Sequence, residues 1–288
     1  MGHPLSLIHY RSQFPSFCPY LASYVEMQKA GITFFDIPTV IPGSIPTSPN
    51  TWKVRLVLNY KRLAYRTCWV ESVDIESVCK SLNIPPTATK PNGDPKYTLP
   101  ALIDNTSSRS VVLSDSTPII EYLETTYPDP DPSRAIIPPG TRALIAASEH
   151  HIATSITPLL YPLIIMGIYS KKGPRDQLHL RRRTEAAFGK AIDEVQSTGQ
   201  DREILLKKLE GAFGLFAESL MKGGGDYIVG GSPCLVDFTL CGLLLMFYHA
   251  SPDIWERVAS WRGGLWAKYL ITFEPLMHVP ANRFLSNL

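Results

Sequence analysis

The spacing of apolar residues changes character midway along the chain, and that change divides it. In the first half the apolar residues come in short runs broken by Pro and Gly. Ile32–Ile37 is β-branched and aromatic and ends at Pro38, which predicts a strand. A loop carrying Pro42, Gly43, Pro46 and Pro49 follows. Asn50–Arg62 then predicts a helix, with Val54, Val57 and Leu58 on one face and Pro49 suited to the first turn. Tyr65–Glu71 reads as a second strand, Ile75–Leu82 as a short helix, and Leu99–Ile103 as a third strand beyond a Pro-rich connector. Ser110–Leu113 is a fourth strand across the turn-like Asn105–Arg109, and a helix over Asp115–Tyr127 closes the unit.

That order, βαβ then ββα, is a thioredoxin-like arrangement. Pro128, Pro130, Pro132, Pro138 and Pro139 then interrupt any regular element, because Pro fixes φ and cannot continue a helix. Beyond Thr141 the period is helical. Phe188, Ala191, Ile192 and Val195 fall at i, i+3, i+4 and i+7, which predicts one helix across them. Leu209, Ala212, Phe213, Phe216 and Leu220 repeat the pattern up to Gly223-Gly224-Gly225, and Cys234–Tyr248 reads as a central, nearly all-apolar helix. The layout expected is an N-terminal extension over 1–30, a thioredoxin-like domain over 31–128, a linker over 129–140 and an all-helical domain over 141–288. Residues 1–26 show no core-forming period, and their removal is expected to leave folding and activity nearly intact.

Composition narrows the function classes. A chain of 288 residues with 44% hydrophobic and 19% charged residues has material for two packed cores. Lys and Arg number 28 against 26 Asp and Glu, so binding to nucleic acid through bulk basicity is not expected. No apolar run approaches the roughly 20 residues of a bilayer span. Leu159–Ile168, broken by Pro162, and Leu235–Tyr248, carrying Asp237, read as buried helices, so no membrane partner is expected. Cys18, Cys68, Cys79, Cys234 and Cys241 are odd in number and scattered, which fits a reducing, cytoplasmic setting and neither a disulfide framework nor a structural zinc site.

Three places could carry chemistry. SPNTWKVR, Ser48 to Arg55, sits where a loop enters a helix; free N–H groups and partial positive charge there favour an anion. Ser48 either caps that helix or faces a bound thiolate, and Trp52 reads as packing. Leu99-Pro100 opens the third strand, where a cis proline would offer the Leu99 backbone to a peptide-like ligand. Ser114-Asp115-Ser116 starts a helix, as capping residues or as a polar clamp. His150-His151 lacks a second ligand pair, so no metal is expected, and Arg181-Arg182-Arg183 is a solvated face or an anion site.

Together these segments resemble the glutathione transferase superfamily, over some 85% of the chain. FDIPTVIPG, SPNTWKVR, YTLPALID and LSDSTPIIEYLETTYPD are similar to the fungal class A transferases, relatives of bacterial β-etherases. The resemblance implies the glutathione transferase fold, a thioredoxin-like domain followed by an all-helical one. It implies glutathione as co-substrate, a homodimer, and attack of the thiolate on apolar, aromatic electrophiles in detoxification. Ser48 would donate to the sulfur, with Asn50 as the rival donor. Leu99 and Pro100 would hold the cysteinyl backbone, and Asp115 with Ser116 the γ-glutamyl end. Lys96 would meet the glycine carboxylate unless it is an ordinary surface lysine. Tyr161, Ile165, Met166 and Tyr169 would line the hydrophobic-substrate pocket or pack in the core. Cys234 replaces the usual Ser or Thr of a capping box whose partner is Asp237, which weakens that box. The rival functions are a ligandin-type carrier of aromatic compounds and a scaffold that has kept the fold without chemistry.

Overall fold

The structure, a computed structural model, describes residues 31–280; the extension expected over 1–30 lies outside the described residues. Four strands form a mixed sheet in the order β2, β1, β5, β6. β1 (Ile32–Asp36) runs parallel to β2 (Tyr65–Trp69), with Ile32 opposite Tyr65. On its other edge β1 is antiparallel to β5 (Ala101–Asp104), which pairs antiparallel with β6 (Val111–Ser114). β1 is buried at every position because both faces of the sheet are covered. Successive side chains alternate faces, so Phe34 packs with α1 (Pro49–Tyr60), while Phe35 packs with α2 (Ile75–Ser81).

One element is absent from the sequence expectation. Within the Pro-rich connector, β3 (Ala88–Thr89) pairs with β4 (Pro95–Lys96), Ala88 facing Lys96. Two exposed residues per strand leave no period to read, and the hairpin is set instead by its turn. Lys90 N–H donates to the Asp94 carbonyl at 2.7 Å, and Gly93 takes a φ of 88°. α3 (Ser116–Thr126) follows β6 and completes the domain.

The helical half begins with α4 (Arg142–His151), which passes through a π-turn at Ile152–Ile156 into α5 (Thr157–Ser170). Arg142–Ser170 is thus one run of 29 residues, long and apolar enough by composition to cross a bilayer, contrary to the reading of its apolar runs one at a time. Here Ile156, Leu163 and Ile164 of that run lie in the continuous core. α6 (Pro174–Phe188), α7 (Ile192–Val195), α8 (Gly199–Gly223), α9 (Leu235–Ala250) and α10 (Pro252–Ile271) follow. The single helix expected across Phe188–Val195 is two: Gly189, at φ 66°, caps α6 in the left-handed conformation, and α7 starts afresh. Of the periodic positions Ile192 and Val195 are buried on α7, while Phe188 at the end of α6 is exposed.

Two helices at the domain junction decide where the site lies. α9 is buried almost throughout and carries Asp237 in its first turn. The Asp237 carboxylate accepts from Cys234 N–H at 2.8 Å, Ile228 N–H at 2.9 Å and the Tyr269 hydroxyl at 2.6 Å. The half of the capping box that the carboxylate makes therefore persists with a thiol at the cap position. A Cβ on Gly242 would stand 2.4 Å from the Pro49 carbonyl, so α9 meets the first turn of α1 at a distance only glycine permits.

α1 is buried from Thr51 to Tyr60 on every side, polar residues included, as an element held between the sheet and α9 must be. The buried Lys53, Arg55 and Asn59 side chains each have a partner. Arg55 pairs with Asp36 at 2.7 Å, Asn59 donates to the Leu276 carbonyl at 2.7 Å, and Lys53 pairs with Glu149 of α4 at 2.8 Å. Trp52 donates to the Pro46 carbonyl at 2.8 Å and stacks on His249, a packing role as expected.

Candidate active site

Ser48 is the N-cap of α1, with extended dihedrals, and Pro49 occupies the first turn. Its Oγ accepts from Thr51 N–H at a long 3.4 Å. An accepted hydrogen bond uses a lone pair, so the hydroxyl proton of Ser48 remains available to a second group. Asn50, by contrast, is exposed and outside the cavity described below.

The Leu99-Pro100 peptide is cis. Leu99 is buried against the sheet, and among the described residues no backbone group pairs with its N–H or carbonyl. The Pro100 carbonyl accepts from Asp115 N–H at 3.2 Å, which draws the start of α3 to the same edge of the sheet. Asp115 is exposed, with φ 74° and ψ 139°, and its carboxylate accepts from Ser116 N–H at 2.6 Å; Ser116 is buried. A non-glycine residue at such dihedrals costs about 1–3 kcal/mol and is typical of a position held for function. Lys53 braces the arrangement, because its ammonium reaches Thr117 of α3 at 3.3 Å as well as Glu149. Thus the starts of α1 and α3 and the Leu99-Pro100 corner stand side by side.

Ser48 and Leu99 open onto a cavity of about 860 Å³ between the two domains. On the thioredoxin-like side it is walled by Ile37, Thr47, Glu76, Lys90, Lys96 and Tyr97. Lys96 is exposed at that rim, beside Lys90, which pairs with Glu76 at 3.2 Å. The helical wall is made by Ile168, Lys172, Asp176, His179, Leu180, Arg183 and Ala187.

None of the four residues expected to line a hydrophobic pocket reaches this cavity. Ile165 is fully buried against Leu180, Ile192 and Val195. The Tyr161 hydroxyl meets Thr184 Oγ1 at 2.5 Å, and its ring stacks on Phe188. Met166 packs beside them, and Tyr169 lies under the Arg181 guanidinium at 5.3 Å. The face of α5 carrying Tyr161 and Ile165 turns toward α6 and α7, and the cavity receives Ile168 and the turn after α5 instead. His151 is half-buried and turned elsewhere, its Nε2–H donating to the Ala212 carbonyl at 2.9 Å.

Two residues on the helical wall escaped the sequence reading. Asp176, buried on α6, accepts from Val73 N–H at 3.1 Å and so ties the helical domain to the turn after β2. Lys172 is only 8% exposed, and its ammonium stands 3.9 Å from the nearer Asp176 oxygen. Burial pulls its pKa below the usual lysine range, opposed by the Asp176 carboxylate. In the sequence Lys171-Lys172 after an apolar helix looks like a solvated helix end. Only the packing of the two domains buries the second of the pair.

This geometry coincides with similarities that span both domains. A profile of the glutathione S-transferase N-terminal domain matches residues 44–131, and one of the C-terminal domain matches residues 143–276. The solved glutathione transferase GSTFuA3 from Phanerochaete chrysosporium is 34% identical, with a TM-score of 0.78 over 86% of this chain and 98% of that one. The chain belongs to the glutathione transferase family. Within it the similarity is to the fungal class A enzymes. The glutathione S-transferase CsGST63524 of Ceriporiopsis subvermispora, solved in complex with glutathione, is likewise 34% identical, with a TM-score of 0.79 over 87% of this chain and 99% of that one. The glutathione S-transferase-like protein ustS of Aspergillus flavus is 27% identical over 259 residues, which cover 83% of this chain and 88% of that protein.

Proposed function

We propose that the protein conjugates glutathione to small electrophilic compounds, with Ser48 as the hydrogen-bond donor to the sulfur. The observation that carries this reading is that Ser48, at the α1 start, and Leu99, before the cis Pro100, both line the interdomain cavity, while the strained Asp115 is tied to the Pro100 carbonyl next to that lining and outside it. In it the Leu99 backbone pairs with the cysteinyl unit. Asp115 takes the γ-glutamyl ammonium, and the α3 start with Ser116 takes its carboxylate. The sulfur then lies at the α1 start, beside the free Ser48 proton. Carbon–sulfur bond formation expels the leaving group, and the thiol proton passes to solvent.

Thiolate stabilisation alone does little. A thiol with pKa about 8.5 is roughly 3% ionised at pH 7. A shift of about two units raises that to roughly 75%, but the weaker nucleophile returns about eightfold of the gain. The net advantage is about threefold, so the remaining acceleration must come from holding thiolate and electrophile together. The helical wall is therefore as much a part of the chemistry as Ser48. Detoxification, a cytoplasmic setting and a homodimer complete the proposal; four buried free thiols, Cys68, Cys79, Cys234 and Cys241, suit a reducing compartment.

Retention on immobilised glutathione, followed by turnover of a generic aromatic halide, tests the reading. Retention with conjugation is the expected result. Tight binding of an aromatic dye with no conjugation across a panel of electrophiles would make the protein a carrier instead.

A further inference from the structure

We propose that the electrophile taken by this cavity carries a carboxylate, received by the Lys172 ammonium on the helical wall. The inference rests on the transferase reading and supplies its substrate class. A buried ammonium is costly unless it is paired and hydrogen-bonded. Lys172 is only 8% exposed and lines the cavity, and among the described residues its ammonium makes no hydrogen bond. Its nearest carboxylate oxygen, on Asp176, is beyond hydrogen-bond reach at 3.9 Å, and the other Asp176 oxygen is occupied by Val73 N–H.

The remaining charged groups around Lys172 are also committed. Asp36, behind it at the end of β1, holds Arg55 at 2.7 Å, and Glu71 pairs with Arg175. Arg183, about two turns beyond Asp176 on α6, adds positive charge on the same wall. The arginine run that reads in sequence as a solvated face or an anion site thus sends its last member to the cavity.

Across the whole cavity four cationic side chains face two carboxylates. Lys90 and Lys96 lie on the thioredoxin-like side, with glutathione. Lys172 and Arg183 lie on the opposite wall, where the second substrate must stand. Ile168, Leu180 and Ala187 around them offer apolar surface to its body. A flat apolar molecule ending in a carboxylate fits that combination, and a wholly apolar one would leave the ammonium without a hydrogen-bonded partner.

The test compares a chloronitrobenzoate with the matching chloronitrobenzamide, each rate divided by its uncatalysed rate with glutathione. In each, a carbon–sulfur bond forms as chloride leaves and the thiol proton passes to solvent. Wild type should favour the acid by about tenfold or more in kcat/KM, the value of one charge-assisted hydrogen bond. Lys172→Met should bring the ratio to about one, and Lys172→Arg should restore part of it. Taking a ratio cancels any general loss of activity in the variants. Without any variant, benzoate should inhibit competitively against the chloronitrobenzamide and not against glutathione, and benzamide should inhibit neither. Equal handling of acid and amide by wild type would overturn the proposal. So would benzoate competing with glutathione, which would put Lys172 on glutathione's own carboxylate. If neither compound is turned over, the transferase reading fails. Calorimetric binding of benzoate, abolished by Lys172→Met, would then still support the Lys172 site, and its absence would overturn that site too.

Discussion

Ser48 can cap its helix and serve a thiolate at once, because accepting from Thr51 leaves its own proton free. The two roles looked like alternatives in the sequence and are compatible in three dimensions. Asp115 is the harder case, since a helix cap and a ligand clamp use the same carboxylate. Its dihedrals separate them. Glycine accepts φ 74° without strain and is nearly as good a cap, so Asp115→Gly should leave the melting temperature unchanged or raise it. Glutathione affinity should nevertheless fall about tenfold or more, because a charge-assisted bond is lost. Calorimetry of both quantities on one variant decides it: a lower melting temperature with unchanged affinity would make Asp115 a structural residue only. The types and spacings of Ser48, Leu99-Pro100 and Asp115 were legible because each sits at the end of a regular element. Lys172 and Asp176 were not, since their meaning depends on what another domain lays against them.

Strands and helices of the thioredoxin-like half are readable to within a few residues from Pro boundaries and apolar runs. The β3–β4 hairpin is not, having too few residues to show a period, and α6 and α7 merge because their apolar positions happen to stay in phase. Nor does the sequence show which faces meet: Tyr161 and Ile165 share a helix face, yet that face packs on α6 and α7. Close approach of elements is instead marked by glycine. Gly242→Ala would force a Cβ to 2.4 Å from the Pro49 carbonyl, and Gly167→Ala one to 2.2 Å from the Ala250 carbonyl. Each should cost about 1–3 kcal/mol, as overpacking does. Only Gly242→Ala disturbs the residue next to Ser48, so it alone should also weaken glutathione binding. Thermal melts paired with glutathione titrations of the two variants check this; equal affinities would show that α9 does not set the α1 start.

At the level of the whole molecule, one apolar core runs from Ile32 and Phe34 of the sheet through α1 into α9 and Phe273. The two domains should therefore unfold together, in a single calorimetric transition with glutathione shifting it upward. The junction also predicts a pH dependence. His249 of α9 stacks on Trp52 of α1, ring centroids 5.9 Å apart, and burial lowers its pKa to about 4. The unfolded chain takes up a proton near pH 6.5 that the fold refuses until about pH 4. Its contribution is complete above pH 6.5 and lost as the pH falls between those values. Allowing for a partly exposed ring, the loss is on the order of 1–2 kcal/mol. His249→Phe keeps a stacking ring and should flatten the stability profile in that window; an unchanged slope would place the titrating group elsewhere.

The central claim is that this cavity ionises glutathione at the Ser48 hydroxyl, and the thiolate of bound glutathione can be followed directly by ultraviolet difference spectroscopy as pH is varied. Wild type should show thiolate appearing about two pH units below the free thiol, and Asn50→Ala should behave as wild type. Ser48→Ala should return the midpoint most of the way to that of the free thiol while glutathione still binds. A midpoint that stays low in Ser48→Ala, or one that rises only in Asn50→Ala, would contradict the assignment.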